Sequence, residues 1–225
     1  RILTFMRAYP IKDLKHSPLF RGITEDELGT MLDCLSGTIR KYKKDASIFR
    51  WGDQISQIGL ILKGNVHIVR ESYWGKESLL ARLGPGDLFG ETYACVPQAA
   101  FDGTALAAAD TEILFLDLKR VLTTCSSACR FHTRLIQNLL GVLAEKNLHF
   151  SRKIDCLAPH TIRAKLMEYF SQQTRLQGTR TFTIPFNRQQ LADYLSVDRS
   201  SMTVELYKMK DEGLIEFQKN QFTVC

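Results

Sequence analysis

The chain has 225 residues, 44% of them hydrophobic and 24% charged, with a formal net charge of +6. That size and balance suit two small globular domains or one large one, with enough apolar mass to bury a core. No run of about eighteen apolar residues occurs, which excludes a membrane-spanning helix, and the opening Arg1-Ile2-Leu3-Thr4-Phe5-Met6 is too short and too soon interrupted for a signal peptide.

The positive balance favours polyanionic partners, but it is spread along the chain. The short cluster Arg40-Lys41-Tyr42-Lys43-Lys44 reads as a solvated strand edge. Six cysteines occur, at 34, 95, 125, 129, 156 and 225, with no Cys-x-x-Cys and no zinc-ligand spacing with His. They read as reduced thiols of a cytoplasmic protein. Cys125 and Cys129 share a helix face, where two small packing residues are the expectation rather than a redox pair.

Residues 11–36 read as largely helical. Thr24-Glu25-Asp26-Glu27 is a capping box, and Leu28, Met31, Leu32 and Leu35 follow at helical spacing toward a core. From 38 to 117 apolar positions alternate between frequent turns. Ile58–Leu62 and Val66–Val69 flank Lys63-Gly64-Asn65, a hairpin signal with Gly64 or Asn65 at positive φ. Leu79–Leu83 runs into the sharp turn Gly84-Pro85-Gly86-Asp87, and Gly103 to Asp117 reads as another strand pair around Ala109-Asp110. Many short antiparallel strands imply a barrel or jelly roll.

From about Leu118 to Leu157 the period becomes helical. Leu135, Leu139, Val142, Lys146 and His149 form one stripe; Ile136, Leu140, Leu143, Asn147, Phe150, Ile154 and Leu157 form the next. So broad an apolar surface needs two covers: the barrel, and the same helix of a second subunit. Ala158-Pro159 breaks the helix. A further helix over roughly 160–173 and a short strand at Phe182–Pro185 follow.

The segment from Asn187 to Leu214 carries the most information. Asn187 and Gln190 form a second capping box, Leu191, Ala192 and Leu195 face inward, and the small Ala192 admits a close helix. Ser196-Val197-Asp198 is the turn, with Val197 buried and Asp198 capping the next helix. That helix turns Met202, Leu206 and Met209 inward and Arg199, Ser200, Ser201, Thr203 and Val204 outward. Gly213 ends it, and Leu214–Phe217 with Gln221–Val224 makes a two-stranded wing. This is a helix-turn-helix whose second helix enters the major groove of double-stranded DNA. Arg199 is placed to hold a phosphate or read guanine, and Val204 to touch a thymine methyl. Gln189 and the wing residue Lys219 complete the candidate DNA-binding set.

Several of these segments together resemble the Crp/Fnr family of transcription regulators, across nearly the whole chain. Ser17–Thr24 is similar to its entry helix and Leu62–Val66 to its barrel hairpin. Leu83-Gly84-Pro85-Gly86-Asp87-Leu88-Phe89-Gly90-Glu91 matches the turn of cyclic-nucleotide-binding barrels, and Gln190–Leu195 through Gly213–Ile215 the DNA-binding helices. The resemblance implies an α+β fold: a jelly-roll sensory barrel of the cyclic-nucleotide-binding type (1–124), a dimerisation helix (125–157) and a winged helix-turn-helix (158–225). It also implies a cytoplasmic homodimer on a pseudo-palindromic operator, contact with RNA polymerase, and a small-molecule effector held between barrel and helix. Two positions depart from it. Where cyclic-AMP binders place Arg and Ser or Thr on the phosphate, this chain has Phe101 and Asp102, so a phosphate would meet an apolar ring and an unpaired negative charge; cyclic AMP is therefore not the expected effector. In the recognition helix, Ser200 and Val204 stand where many members carry Glu and Arg, while Arg199 matches.

The expected effector pocket comprises Gly90, Glu91, Tyr93, Phe101, Asp102, Leu143, Asn147 and Phe150, largely apolar with few polar groups and suited to a small organic molecule. The rival expectation for the aromatics is that they simply fill the barrel. Haem is the alternative cofactor, with His67, His132 and His149 as the available ligands. No catalytic or metal residues are expected. A cupin-like enzyme needs a His-x-His pair and His67 stands alone; no Ser-His-Asp set or phosphate loop appears. A ligand-binding module acting on a protein partner, as in kinase regulatory subunits, is the other rival, and the helix-turn-helix speaks against it.

Overall fold

The structure, a computed structural model, describes residue 14 and residues 17–71, 74–75, 77–96, 98–123 and 130–225. The opening segment 1–6, Cys125, Cys129 and the expected first residues of the long helix lie outside this set. The chain divides into two compact units, residues 1–142 and 143–225.

The first unit begins with a 3-10 turn, Pro18–Phe20, and the helix α1, Glu25–Cys34. The stretch read as largely helical is thus broken between them, with the second helix starting at the Thr24 cap. Pro18 has no amide to continue a ladder, and Gly22 takes φ +74°, a left-handed conformation. Thr24 and Glu27 cap α1 reciprocally, as its sequence requires. Leu28, Met31 and Leu32 are fully buried.

Eight strands follow among the described residues: β1 (Thr38–Tyr42), β2 (Ser47–Phe49), β3 (Gln57–Lys63), β4 (Val66–Glu71), β5 (Glu77–Leu83), β6 (Leu88–Phe89), β7 (Thr104–Ala107) and β8 (Thr111–Asp117). They make two four-stranded sheets, ordered β1-β8-β3-β6 and β2-β7-β4-β5. β1 pairs with β8, β2 with β7, β3 with β6 and β4 with β5, all antiparallel. This nested pairing is one long hairpin rolled up, a jelly roll.

Two expected hairpins are corrected by it. β3 and β4 lie in different sheets, and so do β7 and β8. Gly64-Asn65 and Ala108–Asp110 are therefore crossings between sheets. They lie side by side: the Ala108 amide donates to the Asn65 carbonyl at 2.8 Å, and Thr111 Oγ1 donates to the same carbonyl at 3.1 Å. Gly64 holds φ +79°, and a Cβ there would meet the Asp110 carbonyl oxygen at 2.5 Å. Alternation and turn residues are alike in a hairpin and in a crossing, so only long-range pairing separates them.

The space between the sheets is filled with rings. Phe49 lies 5.5 Å from Phe89, 5.7 Å from Phe101 and 5.9 Å from Phe115, centroid to centroid. β1 is an edge strand, and Lys41 and Lys43 on and beside it pair with Glu112 and Asp110 in solvent, as the basic cluster suggested. A short helix α2 (Glu91–Cys95) follows the Gly84–Glu91 turn, and α3 (Leu118–Leu122) follows β8. The long helix α4 spans Arg130–Leu157, 28 residues. In the first unit it buries Leu135 and Leu139, and Asn138 Nδ2 donates to the carbonyls of Leu19 and Arg21 at 2.9 Å each.

The second unit holds the rest of α4, then α5 (Ile162–Gln177), β9 (Thr181–Thr183), α6 (Arg188–Leu195), α7 (Arg199–Asp211), β10 (Ile215–Gln218) and β11 (Gln221–Val224). α5 starts on Thr161 and stops at Gly178, φ +68°. The wing has three strands, ordered β10-β11-β9, where two were expected. β9 joins because Phe182 pairs with Phe222 across the ladder and both rings pack on Phe170. Leu166, Leu191, Leu195, Met202 and Leu206 complete the core. No helix among the described residues is long and apolar enough to cross a membrane.

Candidate nucleic-acid interface and effector site

The helix-turn-helix is built by caps and one tight turn. Asn187 Oδ1 accepts from the Gln190 amide at 2.9 Å, and Gln190 Oε1 accepts from the Asn187 amide at 2.9 Å. Ser196 closes α6 in the left-handed region, φ 52°, and Asp198 opens α7 by accepting from the Ser201 amide at 2.7 Å. These hydrogen bonds hold the Asp198 carboxyl below its usual range. Val197 is half-buried against the core. At the far end of α7 the amide of Leu214 reaches the Met209 carbonyl and that of Gly213 the Lys210 carbonyl, with Gly213 at φ +71°: a Schellman stop.

With Met202, Leu206 and Met209 inside, the outer face of α7 is fixed. Arg199, Ser200 and Ser201 are exposed in its first turn, and Val204 is 56% exposed one turn on. Thr203 is turned partly inward, and its hydroxyl donates to the Arg199 carbonyl at 2.8 Å, leaving only acceptor capacity. The Ser201 hydroxyl also bonds Asp198. Gln189 is exposed on α6 and donates to Asp193 Oδ1 at 2.8 Å. Lys219 forms the two-residue tip of the β10–β11 hairpin with Asn220, at φ +51°. Sequence reasoning missed Tyr207, exposed one turn beyond Val204 with its ring 5.4 Å from Phe217. It also missed Arg188, in the first turn of α6, whose guanidinium stacks 4.9 Å from both Phe217 and Phe222. Helical spacing from Val204 would have found Tyr207; nothing local points to Arg188.

The candidate effector residues fall in both units. In the first, Gly90 takes φ +78° at the start of α2, and Glu91 is buried. Phe101 is buried between Phe49 and Tyr93, the latter ring at 4.9 Å, so it is part of the ring cluster. Asp102 corrects an expectation: its carboxylate is not unpaired. Arg70 Nη2, on β4, bonds Asp102 Oδ2 at 2.5 Å, both side chains being half-exposed. In the second unit, Leu143 is half-buried on α4, and Asn147 and Phe150 are exposed. The three histidines differ. His67 is half-exposed on β4, and His149 is exposed with its ring 6.4 Å from Tyr194. His132 is 1% exposed with neither ring nitrogen hydrogen-bonded. Among the described residues no group of three or more His, Cys, Asp or Glu is placed to hold a metal ion.

Comparison with known proteins agrees with this architecture. Residues 39–128 match the cyclic nucleotide-binding domain, and residues 164–225 match the Crp-like helix-turn-helix domain. The chain belongs to the Crp/Fnr family of transcription regulators. It is 27% identical over 202 residues to the cyclic AMP receptor protein of Thermus thermophilus, covering 90% of this chain and 89% of that protein. The crystal structure of the Thermus thermophilus catabolite activator protein covers 93% of this chain and 94% of its own, at 27% identity and a TM-score of 0.55. A 31% identity over 137 residues links 61% of this chain to 24% of the cAMP-dependent protein kinase regulatory subunit of Mycosarcoma maydis. As a Crp/Fnr protein, the chain is a DNA-binding transcription regulator with a cyclic nucleotide-binding-type domain and a Crp-like helix-turn-helix that contains α6 and α7.

Proposed function

We propose that this Crp/Fnr regulator acts as a homodimer on a pseudo-palindromic operator and is switched by a small organic effector other than cyclic AMP. The exposed stripe on α4 supports the dimer. Ile136, Leu140, Leu143, Asn147, Phe150, Ile154 and Leu157 follow one another at alternating steps of four and three, the a/d pattern of a coiled coil. Within one chain Leu140, Phe150 and Ile154 are 61%, 60% and 64% exposed, and a second copy of the same helix covers them. Two recognition helices then read half-sites about one helical turn apart. Arg199, Ser200, Ser201, Thr203 and Val204 contact bases and phosphates from α7, with Gln189 and Lys219 on the backbone beside it.

The effector reading is carried by one observation, the Arg70–Asp102 ion pair. A cyclic phosphate bound at Phe101 and Asp102 would face a carboxylate, and the nearby guanidinium is already committed to that carboxylate. Separating them to admit another anion gains little, because one anion replaces another and the carboxylate is left bare. A neutral organic molecule carries no such conflict. The match to a protein named cyclic AMP receptor protein favours the opposite reading, in which Asp102 swings away and Arg70 takes the phosphate. Titration calorimetry with cyclic AMP and cyclic GMP decides between them. No saturable binding in the micromolar range is expected; one micromolar site per chain would establish the nucleotide reading instead.

A further inference from the structure

We infer that Arg163 is a positioning residue for DNA reading: it locks the recognition helix to α5 and neutralises two carboxylates that α7 would otherwise carry uncompensated. The inference rests on α7 being the recognition helix. Arg163 lies in the first turn of α5. Its Nε donates to Glu205 Oε1 at 2.5 Å, and its two terminal nitrogens donate to the two oxygens of Glu212 at 2.7 Å each. Glu205 follows Val204 directly, and Glu212 is the C-cap residue of α7. The two acids are seven residues apart, about 10 Å along the helix axis.

A single planar group gripping two points so far apart resists both sliding and rotation of α7 against α5. Apolar packing of Met202, Leu206 and Met209 resists separation but is non-directional, so the fork adds the register. A bidentate guanidinium–carboxylate pair fixes geometry in a way a lysine point charge does not. The charge matters as well. DNA affinity rests on counterion release by cations, and each uncovered carboxylate on the docking helix opposes it. The pairing holds the Glu212 carboxyl below its usual range.

The test uses a duplex that the full chain selects from a random pool and a scrambled duplex of equal length. Affinity for both is measured for wild type, R163K, R163M and R163M/E205Q/E212Q, with thermal melts alongside. R163K keeps the charge and loses the fork. Its affinity for the selected duplex should fall about tenfold, the scale of one lost base contact, with the scrambled duplex nearly unaffected. R163M should weaken both, and the triple variant should recover the scrambled duplex but not the discrimination. If R163K keeps the ratio of the two affinities within about twofold, Arg163 is a stabilising ion pair only and the inference is overturned. R163M failing to fold leaves R163K as the deciding variant. Failure of the wild-type chain to enrich any sequence would overturn the DNA-reading function itself, and this role with it.

Discussion

Arg70 and Asp102 close on each other at 2.5 Å across 32 positions of sequence, joining β4 to the segment before β7. Half-exposed, the pair contributes about 0.5 kcal/mol or less to stability; its importance is to binding. Asp102→Asn should release the guanidinium and remove the repelling charge. Cyclic AMP affinity should then rise about tenfold or more over wild type in titration calorimetry, as a charge-assisted contact replaces a repulsive one. An unchanged titration would mean that Arg70 does not face the phosphate position.

The crossing at Gly64 allows no side chain. Gly64→Ala forces φ +79° on a residue with a Cβ and drives that atom to 2.5 Å from both the Asp110 carbonyl and Thr111 Oγ1. A loss of about 2–4 kcal/mol is expected from the left-handed penalty plus the backbone shift. Urea unfolding measures it, and a loss under about 1 kcal/mol would show that the two crossings can move apart freely.

His132 presents the reverse case. A buried imidazole with both nitrogens unbonded costs about 1–3 kcal/mol relative to a satisfied group. His132→Leu, similar in volume, should therefore leave the melting temperature unchanged or raise it. A fall of several degrees would reveal a partner that the imidazole depends on, and haem or metal content lost together with that fall would make it a ligand.

The α4 stripe predicts assembly. Phe150→Asp or Ile154→Asp places a charge on the seam, and sedimentation should show monomers at concentrations where wild type is a dimer. Leu148→Asp, exposed on the same helix but off the stripe, serves as the control and should remain dimeric.

The Arg163–Glu212 pair has a pH signature. Glu212 is held below its ordinary value of 4.5 chiefly by its hydrogen bonds to Arg163. A depressed carboxyl contributes stability above its unfolded value, and that contribution is lost as pH falls through the folded one. The stability gap between wild type and R163M should thus be full at neutral pH and close in acid. Denaturant melts across the acid range read it directly; a gap that persists in acid assigns the loss to packing of the arginine stem.

Local chemistry made much of this protein legible before any coordinates. The caps at Thr24, Asn187 and Asp198, the stop at Gly213, and the inward face of α7 all lie within a few residues of the groups that cause them, so neighbouring residue types suffice. The same holds for the 4-3 stripe of α4, whose period is a property of the helix. The tertiary structure alone decided what depends on residues far apart. It turned two apparent hairpins into crossings between sheets, recruited β9 to the wing through Phe182 and Phe222, gave Asp102 its partner on β4, and joined Arg163 to Glu205 and Glu212. Alternation specifies that a strand has an inside, not which strand lies beside it, and a charge in the sequence does not name its counterion. Those choices are made when the chain packs its apolar faces together, and the long-range pairs follow from that packing.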